Sequence, residues 1–188
     1  MSLRSRYLAG LLTLAPLAPQ ILVPSPVRAL ELRGQTYFAS PPWKVVARNY
    51  FWYIQQYGAE YYFTVDMPEK AGVPLGALRI EQTRGVDRTF QFQVGKTRAF
   101  LGEPRAEGPA VPVQVTYDDR LRRFDVRFEK PVAPGEQVTV VLVPDYNPVY
   151  ADTYLFGVTA YPAGPNPVGQ FVGFGTLQIL DVSSSYGN

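Results

Sequence analysis

The segment RFDVRFE, residues 123–129, alternates apolar and charged side chains without interruption. Phe124, Val126 and Phe128 fall on one side of an extended chain, and the charged residues fall on the other. Because successive side chains of a β-strand point to opposite faces, this pattern predicts a strand with one buried face. Similar alternation recurs in YYFTVDM (61–67), LGALRIEQ (75–82), FQFQV (90–94), VPVQVTY (111–117), EQVTVVLV (136–143), YLFGVTAY (154–161) and QFVGFGTLQIL (170–180).

Turn-forming residues separate these segments, as in EKAGVPLG (69–76) and KPVAPGEQ (130–137). Glycine and proline at such positions end strands and start hairpins. Many short strands at intervals of about ten residues are typical of a sandwich of two sheets. We therefore predict an all-β fold, a single immunoglobulin-like antiparallel β-sandwich.

One segment departs from the strand pattern. Residues 42–57 carry apolar side chains at spacings of three and four, which fits one short helix. Phe51, Trp52 and Tyr53 lie off that apolar stripe, and the segment is rich in β-branched and aromatic residues. A helix and an irregular or extended segment therefore both remain open.

The first residues have the features of an export signal. Arg4 and Arg6 precede an apolar stretch, and Val27-Arg28-Ala29 forms a small-x-small pattern that a signal peptidase can cut. We predict a signal peptide over residues 1–29, with a retained membrane anchor as the alternative. Three prolines interrupt the apolar stretch, which disfavours a membrane-spanning helix, so we expect no membrane span after processing.

Removing residues 1–29 changes the charge of the chain. Three of its 18 basic residues leave (18 − 3 = 15) and all 16 acidic residues stay, so the net charge falls to −1 (15 − 16). A chain of this charge has no basic footprint for nucleic acid. The remainder divides into an aromatic-rich N-terminal segment at 30–59, the sandwich domain at 60–182 and a flexible tail at 183–188.

Histidine and cysteine are both absent from the sequence. Without them the chain cannot form Ser-His-Asp or Cys-His catalytic sites, or the usual zinc sites. We therefore expect no enzymatic activity, no cofactor and no metal site. Asp145, Asn147 and Asp152 offer oxygen ligands, but their spacing does not match the helix-loop-helix calcium site, and an Asn-Pro turn explains them more simply.

The adjacent carboxylates Asp118 and Asp119 are candidates for acid catalysis. Three arginines follow them within four residues: Arg120, Arg122 and Arg123. We interpret this cluster as the solvated, charge-balanced tip of a hairpin, because a glycosidase pair needs a cleft at a defined separation.

The longest uncharged run covers residues 153–180. It is explained either by two buried strands and their turn or by a binding surface of exposed rings beside amide side chains. The candidate binding residues are Tyr150, Tyr161, Asn166, Gln170 and Phe174. Strict alternation places Phe171 on the same face as Leu177 and Ile179, with Phe174 opposite.

The strings YLFGVTAYPAG (154–164) and NPVGQFVGFG (166–175) resemble a secreted domain of unknown function that is widespread in cyanobacteria. The resemblance covers roughly residues 60–180. It implies a cyanobacterial host, an export signal and a compact β domain, and it assigns no activity or site residue.

Together these features predict an exported, non-catalytic structural or interaction module of the cell envelope. Its partner would be an envelope protein or polysaccharide, with no nucleic acid involved and with the oligomeric state open. The alternative is a carbohydrate-binding module that uses exposed Tyr and Phe with Asn and Gln. The expected location is the periplasm or the extracellular medium, with the thylakoid lumen also reachable by such a signal.

Overall fold

A computed structural model describes residues 30–181 of the chain. The predicted signal peptide at 1–29 and the predicted tail at 183–188 lie outside the described residues. Within them, two five-stranded antiparallel sheets pack face to face, and the helical content is limited to the 3-10 turns Glu69–Ala71 and Val94–Lys96. The predicted all-β, immunoglobulin-like sandwich is confirmed.

The strands follow the chain in the order β1 (Leu30–Leu32), β2 (Gln35–Tyr37), β3 (Val45–Arg48), β4 (Tyr61–Asp66), β5 (Leu75–Arg84), β6 (Arg98–Leu101), β7 (Ala110–Val111), β8 (Val113–Asp118), β9 (Arg123–Val132), β10 (Gln137–Leu142), β11 (Asp152–Pro162) and β12 (Gln170–Ile179). The first sheet has the order β3-β4-β10-β6-β7 and the second has the order β12-β11-β5-β9-β8. Strands β1 and β2 form a separate hairpin.

The core lies between the two sheets and is rich in aromatic rings. Phe63 of the first sheet meets Phe156 of the second edge to face, with ring centroids 5.3 Å apart. Both side chains are buried, as are Phe124 and Val126 from the alternating segment of β9. Each such side chain contributes about 2 kcal/mol of hydrophobic stabilisation when it leaves water.

Residues 42–57 contain strand β3 and no helix, which corrects the helical alternative for this segment. Val45 and Val46 pair with β4, where their branched side chains fit a pleated surface better than a helix. The first sheet thus begins within the segment 30–59 and not at residue 60. The rest of the segment, to residue 57, is held by isolated bridges.

Two other predicted strands take different forms. FQFQV buries Phe90 and Phe92 as the alternation predicts, but it forms only one isolated bridge, to Pro144, which has no N–H to extend a ladder. VPVQVTY divides at Pro112, so that β7 pairs with β6 of the first sheet and β8 with β9 of the second. The chain crosses between sheets where proline interrupts the strand.

The β1–β2 hairpin fixes the loop between β11 and β12. The hydroxyl of Thr36 donates to the carbonyl of Pro165 at 2.7 Å, and the amide of Val168 donates to the carbonyl of Thr36 at 3.0 Å. Gly164 has a positive φ of 146°, and a Cβ there would lie 2.6 Å from the Thr36 hydroxyl. Only glycine permits this contact, which holds the loop against the end of the sandwich.

Candidate functional site

The outer face of the second sheet carries aromatic, charged and polar side chains. Because directly paired residues of antiparallel strands point to the same face, the strand register gives rows of neighbours across the sheet. One row runs Phe171, Thr159, Arg79, Asp125, Thr116, and the next runs Phe174, Gly157, Glu81, Arg123, Asp118. Each row is aromatic at β12, small at β11 and charged or polar beyond it.

Phe171 and Phe174 form an exposed aromatic pair at the β12 end of these rows. Their side chains are 58% and 53% exposed, and their ring centroids lie 5.0 Å apart in an edge-to-face arrangement. A Cβ built at Gly157 would lie 3.5 Å from the nearest atom of Phe171 and 3.7 Å from that of Phe174. The glycine on β11 therefore lets both rings lie over the neighbouring strand.

A β-bulge places both rings on one face. The register between β11 and β12 shifts at Val158 and Thr159, and Gly173 in the bulge has a φ of 147°. The extra residue reverses the alternation that the sequence suggests, so Phe171 points outward with Phe174 while Leu177 points inward. The predicted face of Phe171 was wrong for this reason.

Tyr161 lies on the same outer face, and its side chain is half-buried. A Cβ at Gly169 would lie 2.6 Å from Cε1 of Tyr161, so the ring rests against the Gly169 backbone. The guanidinium of Arg79 lies 5.4 Å from the ring centroid, within cation–π distance. Tyr161 therefore helps to orient Arg79.

Arg79 is further fixed by Asp125. Its Nε donates to Oδ1 of Asp125 at 2.7 Å, and Arg123 Nε lies 3.2 Å from the other carboxylate oxygen. Burial alone would lower the pKa of Arg79, but the hydrogen bond and negative charge of Asp125 raise it above its usual value. The guanidinium is therefore a permanent, oriented cation.

The structure disperses the other predicted binding residues. Tyr150 precedes β11 while Tyr161 is near its end, so eleven extended residues, about 35 Å, separate them. Asn166 lies in the loop, where its side-chain amide donates to the carbonyl of Gly34 at 3.1 Å. Gln170 pairs with the core residue Ala160 and so points to the face opposite Tyr161.

A hollow of about 400 Å³ lies where β3 meets the end of β12. Its lining includes Trp52, Asn49, Thr176 and Gln178. Trp52 is 46% exposed, and its carbonyl accepts a hydrogen bond of 2.7 Å from the amide of Leu180. An indole ring thus stands beside two side-chain amides. The sequence predicted an aromatic-rich segment at 30–59, but it did not predict that Trp52 of this segment lies next to β12.

The carboxylates Asp118 and Asp119, considered for acid catalysis, and Asp152, considered as a metal ligand, have structural partners. Oδ1 of Asp118 accepts from the amide of Leu121 at 3.1 Å, Asp119 pairs with Arg122, and Oδ2 of Asp152 accepts from the amide of Val86 at 2.9 Å. Asn147 is buried. Across residues 30–181 no cluster of three or more His, Cys, Asp or Glu residues could hold a metal ion.

Residues 35–179 match the model of a family described as Protein of unknown function (DUF2808). The chain belongs to this family. Membership confirms the expected kinship with a domain of unknown function, and DUF2808 carries no assigned activity or site. No match was found among curated proteins.

Several solved structures are similar to this DUF2808 chain at a low level. The collagen-binding domain of a Staphylococcus aureus adhesin has 6% identity and a TM-score of 0.41 over 73% of this chain and 97% of that one. The collagen-binding subdomain of the Enterococcus faecalis surface protein ACE has 11% identity and a TM-score of 0.40, over 71% of this chain and 99% of that one. An uncharacterized Nocardia farcinica protein with an immunoglobulin-like fold has 13% identity and a TM-score of 0.42, over 72% of this chain and 96% of that one. Similarity this low says nothing about ligands.

Between residues 30 and 181 the chain forms no helix with the length and apolar character that a membrane crossing requires.

Proposed function

We propose that this chain is an exported, non-catalytic structural or interaction module of the cell envelope. The observation that carries the proposal is the pair Phe171 and Phe174, two half-exposed rings on one face of a rigid sheet. Aromatic rings in contact on an exposed face are typical of partner surfaces, because covering them removes a large apolar area from water. The partner would be an envelope protein or polysaccharide.

A direct test measures binding of the labelled protein to envelopes isolated from the host. The double variant Phe171→Ser with Phe174→Ser should bind at least about tenfold more weakly, since buried aromatic anchors dominate interface energy. The matched control is Val86→Ser with Leu121→Ser, which removes two exposed apolar side chains elsewhere. Equal binding by the wild type and both double variants would remove the aromatic pair from the proposal.

The proposal also includes the compartment. A cyanobacterial host and export through residues 1–29 predict a mature protein that begins at Leu30, in the periplasm, the medium or the thylakoid lumen. N-terminal sequencing of the native protein from each separated fraction tests this. An intact Met1 in the membrane fraction would show that the domain is tethered and would refute processing.

The second candidate function is carbohydrate binding, which the hollow at Trp52 favours. An exposed indole beside Asn49 and Gln178 offers a stacking surface with hydrogen-bonding amides. A glycan array should lose signal with Trp52→Ala. Tyr161→Ala should retain it, because Tyr161 does not line this hollow. Signal that is unchanged in Trp52→Ala would exclude this surface.

A further inference from the structure

A groove of about 600 Å³ lies on the outer face of the second sheet, beside the loop between β11 and β12. Gly76 and Ala77 of β5 line it, and Pro162 to Gly164 form one wall. A Cβ at Gly76 would lie 3.0 Å from Cα of Ala163 and 3.1 Å from the carbonyl oxygen of Pro162. The small residues of β5 therefore let the loop approach and leave the depression open.

Two arginines line this groove in different ways. Arg79 uses its Nε for Asp125, and its Nη atoms make no hydrogen bond within residues 30–181. Arg127 is exposed and pairs across the sheet with Ala77 and Gln114, neither of which is charged. In the part of the chain that the structure describes, Arg127 forms no salt bridge. Asp125 is the one acidic residue in the described lining, so the groove carries one excess positive charge.

The remaining polar lining groups suit a hydroxyl-rich ligand. Gln114 and Thr116 are exposed on β8, where they supply an amide and a hydroxyl that both donate and accept hydrogen bonds. A guanidinium recognises a carboxylate through two parallel hydrogen bonds, and Arg79 is already oriented by Asp125 and Tyr161. Orientation before binding reduces the entropy that a ligand must overcome.

We infer that this groove binds the carboxylate-bearing sugar units of an acidic polysaccharide. The excess positive charge at Arg127 and Arg79 contacts the carboxylate, and Gln114 and Thr116 contact the ring hydroxyls. The groove is open at the surface, which suits a unit within a longer chain. The inference deepens the envelope role proposed above and rests on it for the source of the ligand, but it uses residues other than Phe171 and Phe174.

The test is isothermal titration of the purified protein with oligogalacturonate. Neutral dextran oligosaccharide, dextran sulfate and polyglutamate of similar length are the comparison ligands. Arg127→Gln should weaken oligogalacturonate binding about tenfold or more, because a charge-assisted hydrogen bond is lost. Arg120→Gln removes the same charge at the exposed hairpin tip outside the groove, and it should change the affinity less than about twofold. Thermal unfolding of both variants checks that the fold is kept.

Oligogalacturonate bound more tightly than the other three ligands, with the loss confined to Arg127→Gln, supports the inference. If dextran binds as tightly as oligogalacturonate, the carboxylate has no role, and if dextran sulfate binds more tightly, the groove is a sulfate site. If polyglutamate binds as tightly or more tightly, the groove is a site for an acidic peptide. If Arg120→Gln weakens binding as much as Arg127→Gln does, the attraction is a general effect of charge. Each of these results overturns the inference. If envelope binding still depends on Phe171 and Phe174, the envelope role stands without the groove.

Discussion

The hydroxyl of Tyr61 donates a hydrogen bond of 2.7 Å to Oδ1 of Asn147 in the interior of the sandwich. The side-chain amide of Asn147 donates in turn to the carbonyls of Phe51 and Tyr53, at 2.7 and 2.8 Å. Burial raises the pKa of Tyr61, so its phenol stays protonated and remains a donor. One buried amide therefore joins β4 to the irregular aromatic segment that carries Trp52.

Asn147→Ala should lower the free energy of unfolding by about 3 kcal/mol, because it leaves the buried hydroxyl of Tyr61 and the carbonyl of Tyr53 without partners. Urea unfolding measures this loss. Asn49→Ala is the control, since its amide donates to the same Phe51 carbonyl from an exposed position and should cost less than about 1 kcal/mol. Equal losses in the two variants would show that Asn147 does not join the segment to the core.

Gly175→Ala should destabilise the sandwich by about 2 kcal/mol through overpacking. A Cβ at this position would lie 2.8 Å from Cβ of Ala47 and 2.8 Å from the ring of Phe63, both in the facing sheet. Gly95→Ala, where a Cβ meets no atom within 4 Å, is the control and should stay within about 0.5 kcal/mol of the wild type. Thermal or urea unfolding distinguishes them. A Gly175→Ala variant with the free energy of unfolding of the wild type would show that the two sheets can move apart at this position without loss of stability.

The sandwich was predictable because strands β5, β8, β9 and β12 each have one solvated face. The alternation around Phe124 and Val126 follows from the geometry of a single strand, in which successive side chains point to opposite faces. It can therefore be recognised from adjacent residues alone. Which strands pair, and where the chain crosses sheets at Pro112, depends on contacts far apart in sequence. No periodic pattern records those contacts.

The candidate site was less predictable because single residues decide it. One bulge residue turned Phe171 outward, and a period-2 reading has no means of detecting such an insertion. Gly169 and Arg79 both pack against the ring of Tyr161, and Arg79 lies 82 positions before that tyrosine (161 − 79). Ring exposure therefore follows from tertiary packing.

Arg122 shows the same limit at the hairpin tip that the sequence suggested was solvated. Its side chain is only 2% exposed, and its Cζ lies 4.6 Å from the ring centroid of Phe90 and 5.2 Å from that of Phe92. The guanidinium of Arg122 is therefore buried against two aromatic rings beneath the tip. Only the placement of FQFQV beside the hairpin, which is a long-range contact, reveals this.

Arg122→Met should lower the free energy of unfolding by about 1 kcal/mol, because the relief of burying a cation only partly offsets the loss of the hydrogen bond of 3.2 Å from Nε of Arg122 to the buried Oε1 of Gln82. Arg122→Ala should cost about 3 kcal/mol, since it also leaves a cavity beside Phe90 and Phe92. Urea unfolding of the pair measures the contrast. A methionine variant as unstable as the alanine variant would show that the charge, and not the packing, stabilises the tip.

Asp87 should make the protein sensitive to acid. Burial alone would raise its pKa, but hydrogen bonds from the amides of Thr89 and Val149 and from the Thr89 hydroxyl outweigh burial and lower it. A carboxyl whose pKa is depressed on folding stabilises the native state above its unfolded pKa, about 3.9. That contribution is lost as the pH falls through the lower, folded pKa.

Asp87→Asn should therefore lower the free energy of unfolding by about 2 kcal/mol at neutral pH, because the carboxylate's hydrogen bonds are weakened or lost. The difference from the wild type should shrink as the pH falls toward 2, because the wild-type carboxylate takes up protons and loses its charge, as the asparagine variant already has. Urea unfolding at several pH values between 2 and 7 measures it. Thr89→Val removes one hydroxyl donor and should move the acid transition of the wild type to higher pH. A difference between Asp87→Asn and wild type that stays constant across this range would contradict the role given to the Asp87 charge.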